Sequence, residues 1–271
     1  MTELRRLTGP MPPPASPARG RIGGRPAMWQ LAEEAPVAFL LNGDSFAVML
    51  ASPADLEDLA IGFALTEGLV AAAEEIESLR IAEAQQGYVV NLKLPEARVR
   101  AAEGRRRSLA GRAGCGLCGA QTIAAALPPP RRVAGPWPEP AAVARAFAAL
   151  PGAQPLNAST RSVHGAAFCD RSGRILALRE DVGRHNALDK LGGAMLRAGL
   201  DAGQGFAVLT SRIGVELVQK AAALGLPFVA ALSAPSALAL RMAGACGMGL
   251  ASRAGDGVMM FDPPGCGEDA A

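Results

Sequence analysis

The rhythm of the final third of the chain restricts the fold more than anything else in it. Gly205–Thr210 is a short apolar run that ends at Ser211-Arg212, and a helical stretch then passes through Lys220 to Leu224. Gly225 and Pro227 punctuate before a second apolar run, Phe228–Leu232, a helical stretch Ser236–Ala245, and two more strand-like runs, Gly247–Ala251 and Val258–Phe261. Strands alternating with helices predict parallel βαβ units in an α/β sheet covered on both faces. Ligands of such sheets bind beyond the carboxyl ends of the strands. Ser211-Arg212, Ser233-Ala234-Pro235-Ser236 and Ser252-Arg253 are predicted to lie at those ends.

The first half reads differently, as a smaller α+β region. Residues 1–27 hold a cluster of prolines with several Arg and Gly, and are predicted to be an unordered tail, with folded structure beginning near Glu34. Val37–Leu41 and Ser45–Leu50 flank Asn42-Gly43, a hairpin signature. Ser52-Pro53-Ala54-Asp55 offers a cap, a proline for the first helical position and an acid for the first turn. Leu56, Leu59, Ala60 and Phe63 then share one helical face, with Gly68 as the stop. Strands are expected around 76–82 and 87–94, and Arg98–Arg112 is expected to be a solvated, arginine-rich loop. A helix is expected from Thr122. Pro128–Pro138 marks a boundary or surface crossing, followed by a helix over Ala141–Leu150. The reading therefore divides the chain into a tail (1–27), an N-terminal α+β region (28–133), an α/β domain (134–262) and a short tail (263–271).

Three segments carry chemistry. The first is Gly114-Cys115-Gly116-Leu117-Cys118-Gly119, two thiols spaced C-x-x-C among glycines, with Arg105, Arg106, Arg107 and Arg112 upstream. Guanidinium charge lowers a thiol pKa and glycines leave sulfur uncovered. Such a pair can hold a metal, cycle as a dithiol or carry sulfur as a persulfide. Zinc needs four ligands, and the remaining three cysteines and two histidines offer neither a second C-x-x-C nor an H-x-E. The second is Glu180-Asp181-Val182-Gly183-Arg184-His185-Asn186-Ala187-Leu188-Asp189-Lys190, opening a helix whose N-terminus and arginine suit an anion. Its alternative is a charged cap paired with itself. The third is Thr210-Ser211-Arg212 running into Glu216 and Lys220, the parts of a phosphate pocket without a Walker sequence. The histidines are His164 and His185, each in a polar cluster. Cys169, Cys246 and Cys266 look inert.

Composition narrows the class. A net charge of +2 makes no electrostatic case for nucleic acid. No run approaches a membrane span, no apolar segment follows the N-terminal charges, and five cysteines at these spacings suggest no disulfide framework. The reading is a soluble, cytoplasmic protein with reduced thiols.

In order and spacing, the Gly114–Gly119 pair, His164-Gly165-Ala166-Ala167, the Glu180–Lys190 run, Glu216-Leu217-Val218-Gln219-Lys220 and Ser233-Ala234-Pro235-Ser236 resemble the FdhD family over roughly residues 34–262. These are accessory sulfurtransferases of formate dehydrogenases. The resemblance implies a cytidine-deaminase-like three-layer α/β domain with a smaller α+β N-terminal region, and a homodimer. It implies that a cysteine desulfurase supplies persulfide sulfur, which passes to the Mo-bis(molybdopterin guanine dinucleotide) cofactor for the formate dehydrogenase apoenzyme, with GDP as a fragment mimic. Cys115 matches the persulfide carrier and Cys118 its neighbour. The candidate acceptor site comprises His164, Asp181, Arg184, His185, Asn186, Lys190, Ser211, Arg212 and Lys220. By position, the family's Gly-Phe-x-Arg-Gly segment adds Arg253, Ala254, Gly255, Asp256, Gly257 and Val258. No resident metal is implied. Ser159-Thr160-Arg161 stands where the family has Thr-Gly-Gly, and Thr210-Ser211-Arg212 where it has Ser-Gly-Arg, so side chains replace glycine near the expected nucleotide. The alternative function is a non-catalytic chaperone that delivers the cofactor.

Overall fold

The computed structural model describes residues 13–109, 129 and 131–262, which form a mixed α/β structure with three sheets. Cys115, Cys118, Cys266 and the helix expected from Thr122 lie outside the described residues.

The described part of the expected tail, from residue 13 to 27, enters a hairpin instead; residues 1–12 lie outside the described residues. Strands β1 (Ala15–Ile22) and β2 (Arg25–Ala32) pair antiparallel across Gly23 and Gly24, at φ 57° and 81°. Two left-handed residues match the twist of flanking strands, and only glycine takes them without strain. Proline density argued against strands here. A two-stranded ribbon consists of edges, however, where Pro17 and Pro26 are tolerated. Trp29 of β2 lies under the Arg161 guanidinium, 5.0 Å from the ring centroid, which fastens the ribbon to the C-terminal body.

The N-terminal body holds the predicted hairpin, β3 (Ala35–Leu41) and β4 (Asp44–Ala51), and then β5 (Ser78–Ala84) and β6 (Gly87–Lys93). Their order is β4-β3-β6-β5, with β3 and β6 parallel. Helix α1 (Leu56–Thr66) contributes Leu56, Leu59, Ala60 and Phe63 to the core that Val37, Phe39, Val90 and Leu92 supply from the sheet. It begins later than its sequence signature, with Asp55 rather than Ser52 at the cap. The arginine-rich segment expected as a loop is helical through Leu109, as α2 (Glu96–Leu109). Ala, Arg and Glu are strong helix formers, and Val99 and Ala102 are buried.

The C-terminal body is built on six strands ordered β12-β11-β10-β9-β7-β8. In chain order it runs α3 (Pro140–Ala153), α4 (Pro155–Thr160), β7 (His164–Asp170), β8 (Ile175–Asp181), α5 (Arg184–Arg197), β9 (Gly205–Leu209), α6 (Val215–Ala223), β10 (Phe228–Ala231), α7 (Ala237–Cys246), β11 (Gly249–Ala254) and β12 (Gly257–Phe261). Only β9, β10 and β11 are parallel. These are the expected parallel βαβ units, whereas β12, expected to continue that pattern, runs antiparallel to β11, as β8 does to β7, because tight turns join each pair and antiparallel strands alone allow those. Leu188, Leu191, Leu217, Val218 and Ala243 of α5, α6 and α7 cover one face, while Val143, Phe147 and Leu150 of α3 cover the other against Val208, Phe206 and Phe228. Among the described residues no helix is long and apolar enough to cross a membrane.

Helices α1 and α5 join the two bodies at very short range. A Cβ on Gly62 would run into the Asp189 carbonyl oxygen, and one on Gly193 into that of Asp58. Each glycine admits the backbone of the other helix. Gly193→Ala is expected to cost about 3 kcal/mol, near the top of the usual overpacking range, and to lower the melting temperature by roughly 6–12 °C. Differential scanning fluorimetry measures this, with Ala194→Gly as the control for helix propensity.

Candidate functional site

One edge of the six-stranded sheet gathers part of the predicted acceptor set, and the structure separates that set into two groups. The parallel strands β9, β10 and β11 end there, β8 ends there, and the antiparallel β7 and β12 begin there. His164 opens β7 and pairs in register with Asp181 at the end of β8. Gly165 and Thr210 lock the start of β7 to the end of β9: the Gly165 N–H donates to Thr210 Oγ1 at 2.9 Å, and the Thr210 N–H to the Gly165 carbonyl at 3.0 Å. The loops after β9 and β10 are tied by an Ile213–Pro235 bridge and by the Ser236 N–H, which donates to the Ile213 carbonyl. Ser236 also caps α7, its Oγ accepting from the Ala239 N–H at 3.1 Å. Arg253–Val258 forms the β11–β12 turn, with Gly255 at φ 58°.

Four of the predicted ligand residues are engaged in the joint between bodies. Asp181 and Lys190 are fully buried, 2.6 Å apart. Asp181 also accepts from the backbone N–H groups of Ser52 and Gly183 (2.9 and 2.8 Å) and from Asn186 (3.0 Å). Asn186 donates to the Leu50 carbonyl as well, at 2.8 Å. Ser52 completes the clamp, its Oγ accepting from Val182 and its carbonyl from Lys190. This is why Ser52 is not the cap of α1. Lys220 is buried and donates to Asp189, Glu67 and Thr66 at 2.9–3.1 Å. Burial pulls its amine down, but Asp189 and Glu67 more than compensate and hold it above the usual lysine value. The expectation that Lys190 and Lys220 bind pyrophosphate is therefore corrected: both cations are buried on internal carboxylates. Glu180 caps α4, accepting from the N–H groups of Leu156 (2.9 Å) and Asn157 (2.8 Å).

The residues that do reach the rim are His164, Arg184, His185, Ser211, Arg212 and the Arg253–Val258 turn. Arg184 keeps a third of its side chain exposed, and Arg212 and Arg253 are exposed with no carboxylate partner among the described residues. Ser211 is buried, its hydroxyl donating to the Arg212 carbonyl at 3.0 Å, so serine in place of the family's glycine turns onto its own backbone. Arg161 takes the left-handed conformation (φ 56°) although it is not glycine, and its stacking on Trp29 offsets part of that strain. His164 is half-buried and its ring pKa is lowered by burial first, then by Arg184 and His185.

Glu216, named in the third segment but not among the candidate acceptor residues, belongs beside them. Its Oε1 lies 3.2 Å from both Arg184 Nη2 and His185 Nε2, in the first turn of α6, and a Cβ on Gly214 would clash with the carboxylate. Its pKa falls to about 2: burial raises it, and the contacts to His185, its own N–H and Arg184 outweigh that. The acid at position 216, two beyond a glycine that caps a helix after a strand, was the available signal. Cys169 is pushed up to about 12 by burial and then by Asp170, and Cys246 is raised by burial, so neither is a ready thiolate. A cavity of about 440 Å³ lies at the other end of the sheet, lined by Leu65, Gly192, Met195, Leu200 and Gly225, away from the rim.

These features define a class: an α/β protein of two bodies, with guanidinium groups, hydroxyls and helix N-termini along the carboxyl ends of its parallel strands, the donors that suit an anionic ligand. The chain belongs to the FdhD/NarQ family, whose profile matches residues 32–261. It is 48% identical over 215 residues to a protein of Agrobacterium fabrum named sulfur carrier protein FdhD, covering 78% of this chain and 79% of that one. A protein of the same name from Xanthomonas oryzae pv. oryzae is 47% identical over 78% of this chain and 76% of its own. A crystal structure from Desulfotalea psychrophila, of a chain described as a formate dehydrogenase accessory protein, superposes with a TM-score of 0.71 at 24% identity, covering 93% of this chain and 99% of that one. That structure corroborates the fold.

The clamp around Asp181 makes a direct prediction. Lys190→Met is expected to destabilise by about 3–5 kcal/mol in urea unfolding, because it strands a buried carboxylate. Adding Asp181→Asn is expected to recover part of that loss.

Proposed function

We propose that the chain is a sulfur carrier and sulfurtransferase that accepts persulfide sulfur from a cysteine desulfurase at Cys115 and passes it to the Mo-bis(molybdopterin guanine dinucleotide) cofactor, its substrate, for use by a formate dehydrogenase. The observation that carries this reading is the near-half identity, over most of the chain, to proteins named sulfur carriers, together with a C-x-x-C pair in this sequence. In the transfer, the Cys115 thiolate attacks the outer sulfur of the desulfurase persulfide. A new S–S bond forms at Cys115, the old one breaks, and the desulfurase cysteine leaves as thiolate. Cys118, three residues on, is the neighbouring thiol.

The rim fits an acceptor with two pyrophosphates in one part and not in another. Arg184, Arg212 and Arg253 present guanidinium groups, and α5, α6 and α7 begin there. Lys190 and Lys220 do not take part, for the reasons above. Asp256 and the Gly255–Gly257 backbone offer the polar groups for a guanine nucleotide, for which GDP is the fragment, while the Ser211 hydroxyl is spent on the Arg212 carbonyl. The three-layer arrangement of the C-terminal body supports kinship with cytidine-deaminase-like domains. A homodimer working with a desulfurase and a formate dehydrogenase apoenzyme completes the proposal.

Mass spectrometry after incubation with a cysteine desulfurase and cysteine tests it. A gain of one sulfur atom is expected, and it is expected to vanish in Cys115→Ala. An adduct that persists in full in that variant overturns the assignment. Undiminished formate dehydrogenase activation by the Cys115→Ala, Cys118→Ala double variant favours a chaperone that only delivers the cofactor.

A further inference from the structure

Arg184 and His185 share one carboxylate oxygen, and that sharing decides what His185 can do. Glu216 Oε1 lies 3.2 Å from His185 Nε2, and His185 is only 5% exposed. Its other nitrogen, Nδ1, has no hydrogen-bond partner among the described residues. A carboxylate only accepts, so the bond requires the proton on Nε2 and leaves Nδ1 as a lone pair when the ring is neutral. The carboxylate cannot wander. Gly214 gives it the space beside the helix cap, its own backbone N–H donates to it, and Arg184 Nη2 holds the same oxygen. It also stays ionised, since its pKa is about 2.

We propose that Glu216 is a positioning residue that fixes His185 in the Nε2–H tautomer and so makes Nδ1 the nitrogen at which the rim takes up and releases a proton during sulfur transfer. The proposal rests on the sulfur-carrier reading. A base oriented by a third group is the arrangement by which enzymes activate or protonate sulfur and oxygen. When sulfur moves on to its acceptor, a thiolate is released. If it meets the imidazolium form of His185, the Nδ1–H bond breaks, an S–H bond forms, and the ring returns to the Nε2–H tautomer; no electrons change hands. While the ring is charged, Glu216 balances it. The other groups facing His185 are Arg184 on α5, His164 on β7 and, beyond it, Asp181 on β8. Asp181 is tied to Lys190, and the His164 ring is held below the ordinary value by burial and then by Arg184 and His185, so among the described residues Glu216 is the one carboxylate within reach of the ring.

Nitrogen-15 NMR of the histidine side chains, assigned with His164→Gln and His185→Gln, tests the geometry directly on the whole chain. At a pH where the ring is neutral, wild-type His185 is expected to show a protonated Nε2 and an unprotonated Nδ1, and Glu216→Leu to lose that preference. A protonated Nδ1 in the wild type overturns the proposal. Glu216→Gln, nearly the same shape, keeps an acceptor oxygen without the charge. It is expected to retain the tautomer while formate dehydrogenase activation falls at least about ten-fold, with Glu216→Asp recovering part of it. Activation at the wild-type rate by Glu216→Gln also overturns the proposal. The NMR arm involves neither cysteine, so a failure of sulfur loading at Cys115 would remove the sulfur-carrier reading and leave the tautomer result to be read on its own.

Discussion

Everything at the rim depends on how closely α1 and α5 cross. Gly62 and Gly193 let each helix bring its backbone onto the other, and buried carboxylates on both sides fix the register. Asp58 of α1 reaches Arg179 Nε at 2.7 Å and Arg197 Nη1 at 2.8 Å, while Asp189 of α5 meets Lys220 of α6 at 2.9 Å and Thr66 of α1 at 2.7 Å. Sliding one helix by a turn, about 5.4 Å, would leave these charges buried and unpaired. Such pairs add little net stability over apolar packing, but they penalise every wrong alignment. The Asp181–Lys190–Ser52 clamp does the same between the end of β8 and the end of β4. Because α5 is held this way along its length, its first turn is placed at the carboxyl ends of the sheet with Arg184 and His185 facing Glu216.

Charge is therefore divided by depth. Lysines 190 and 220, with Asp58, Asp181 and Asp189, are sealed inside the joint, whereas the cations left at the rim are arginines. Arginine suits that position: it remains charged, is more weakly hydrated than an ammonium, and presents a fork that matches phosphate. Strand ends and helix starts supply the neutral donors beside it. The two histidines occupy different surroundings in the same edge, one tied to a carboxylate and the other pressed by neighbouring cations.

Much of the C-terminal body was legible because apolar runs, glycines and prolines mark its elements locally: β9, α6, β10 and α7 fall within a few residues of their predicted places. The β3–β4 hairpin was legible from Asn42-Gly43 for the same reason. What sequence could not separate were uses of identical side chains. In Glu180–Lys190, one acid caps α4, another clamps Ser52 and a third holds Lys220, and only Arg184 and His185 face the rim; the motif reads the same either way. Ser52 looked like a helix cap because its neighbours fit one, and its partners lie more than a hundred residues away. The β1–β2 ribbon is hidden in the sequence because its prolines disfavour central strands and are tolerated only at edges, which a two-stranded ribbon consists of. The charge density of helix α2 suits a solvated loop equally well, and the helix propensity of its Ala, Arg and Glu decides the outcome.

In the proposed function the rim, and not the buried lysines, receives a guanine-nucleotide anion. Isothermal titration calorimetry with GDP on the full chain tests it most directly. Wild-type binding is expected, weakened at least ten-fold, about 1.4 kcal/mol, in Arg212→Ala, with affinity falling as salt rises. Binding unchanged by Arg212→Ala and Arg184→Ala together, or no binding at all, would contradict it.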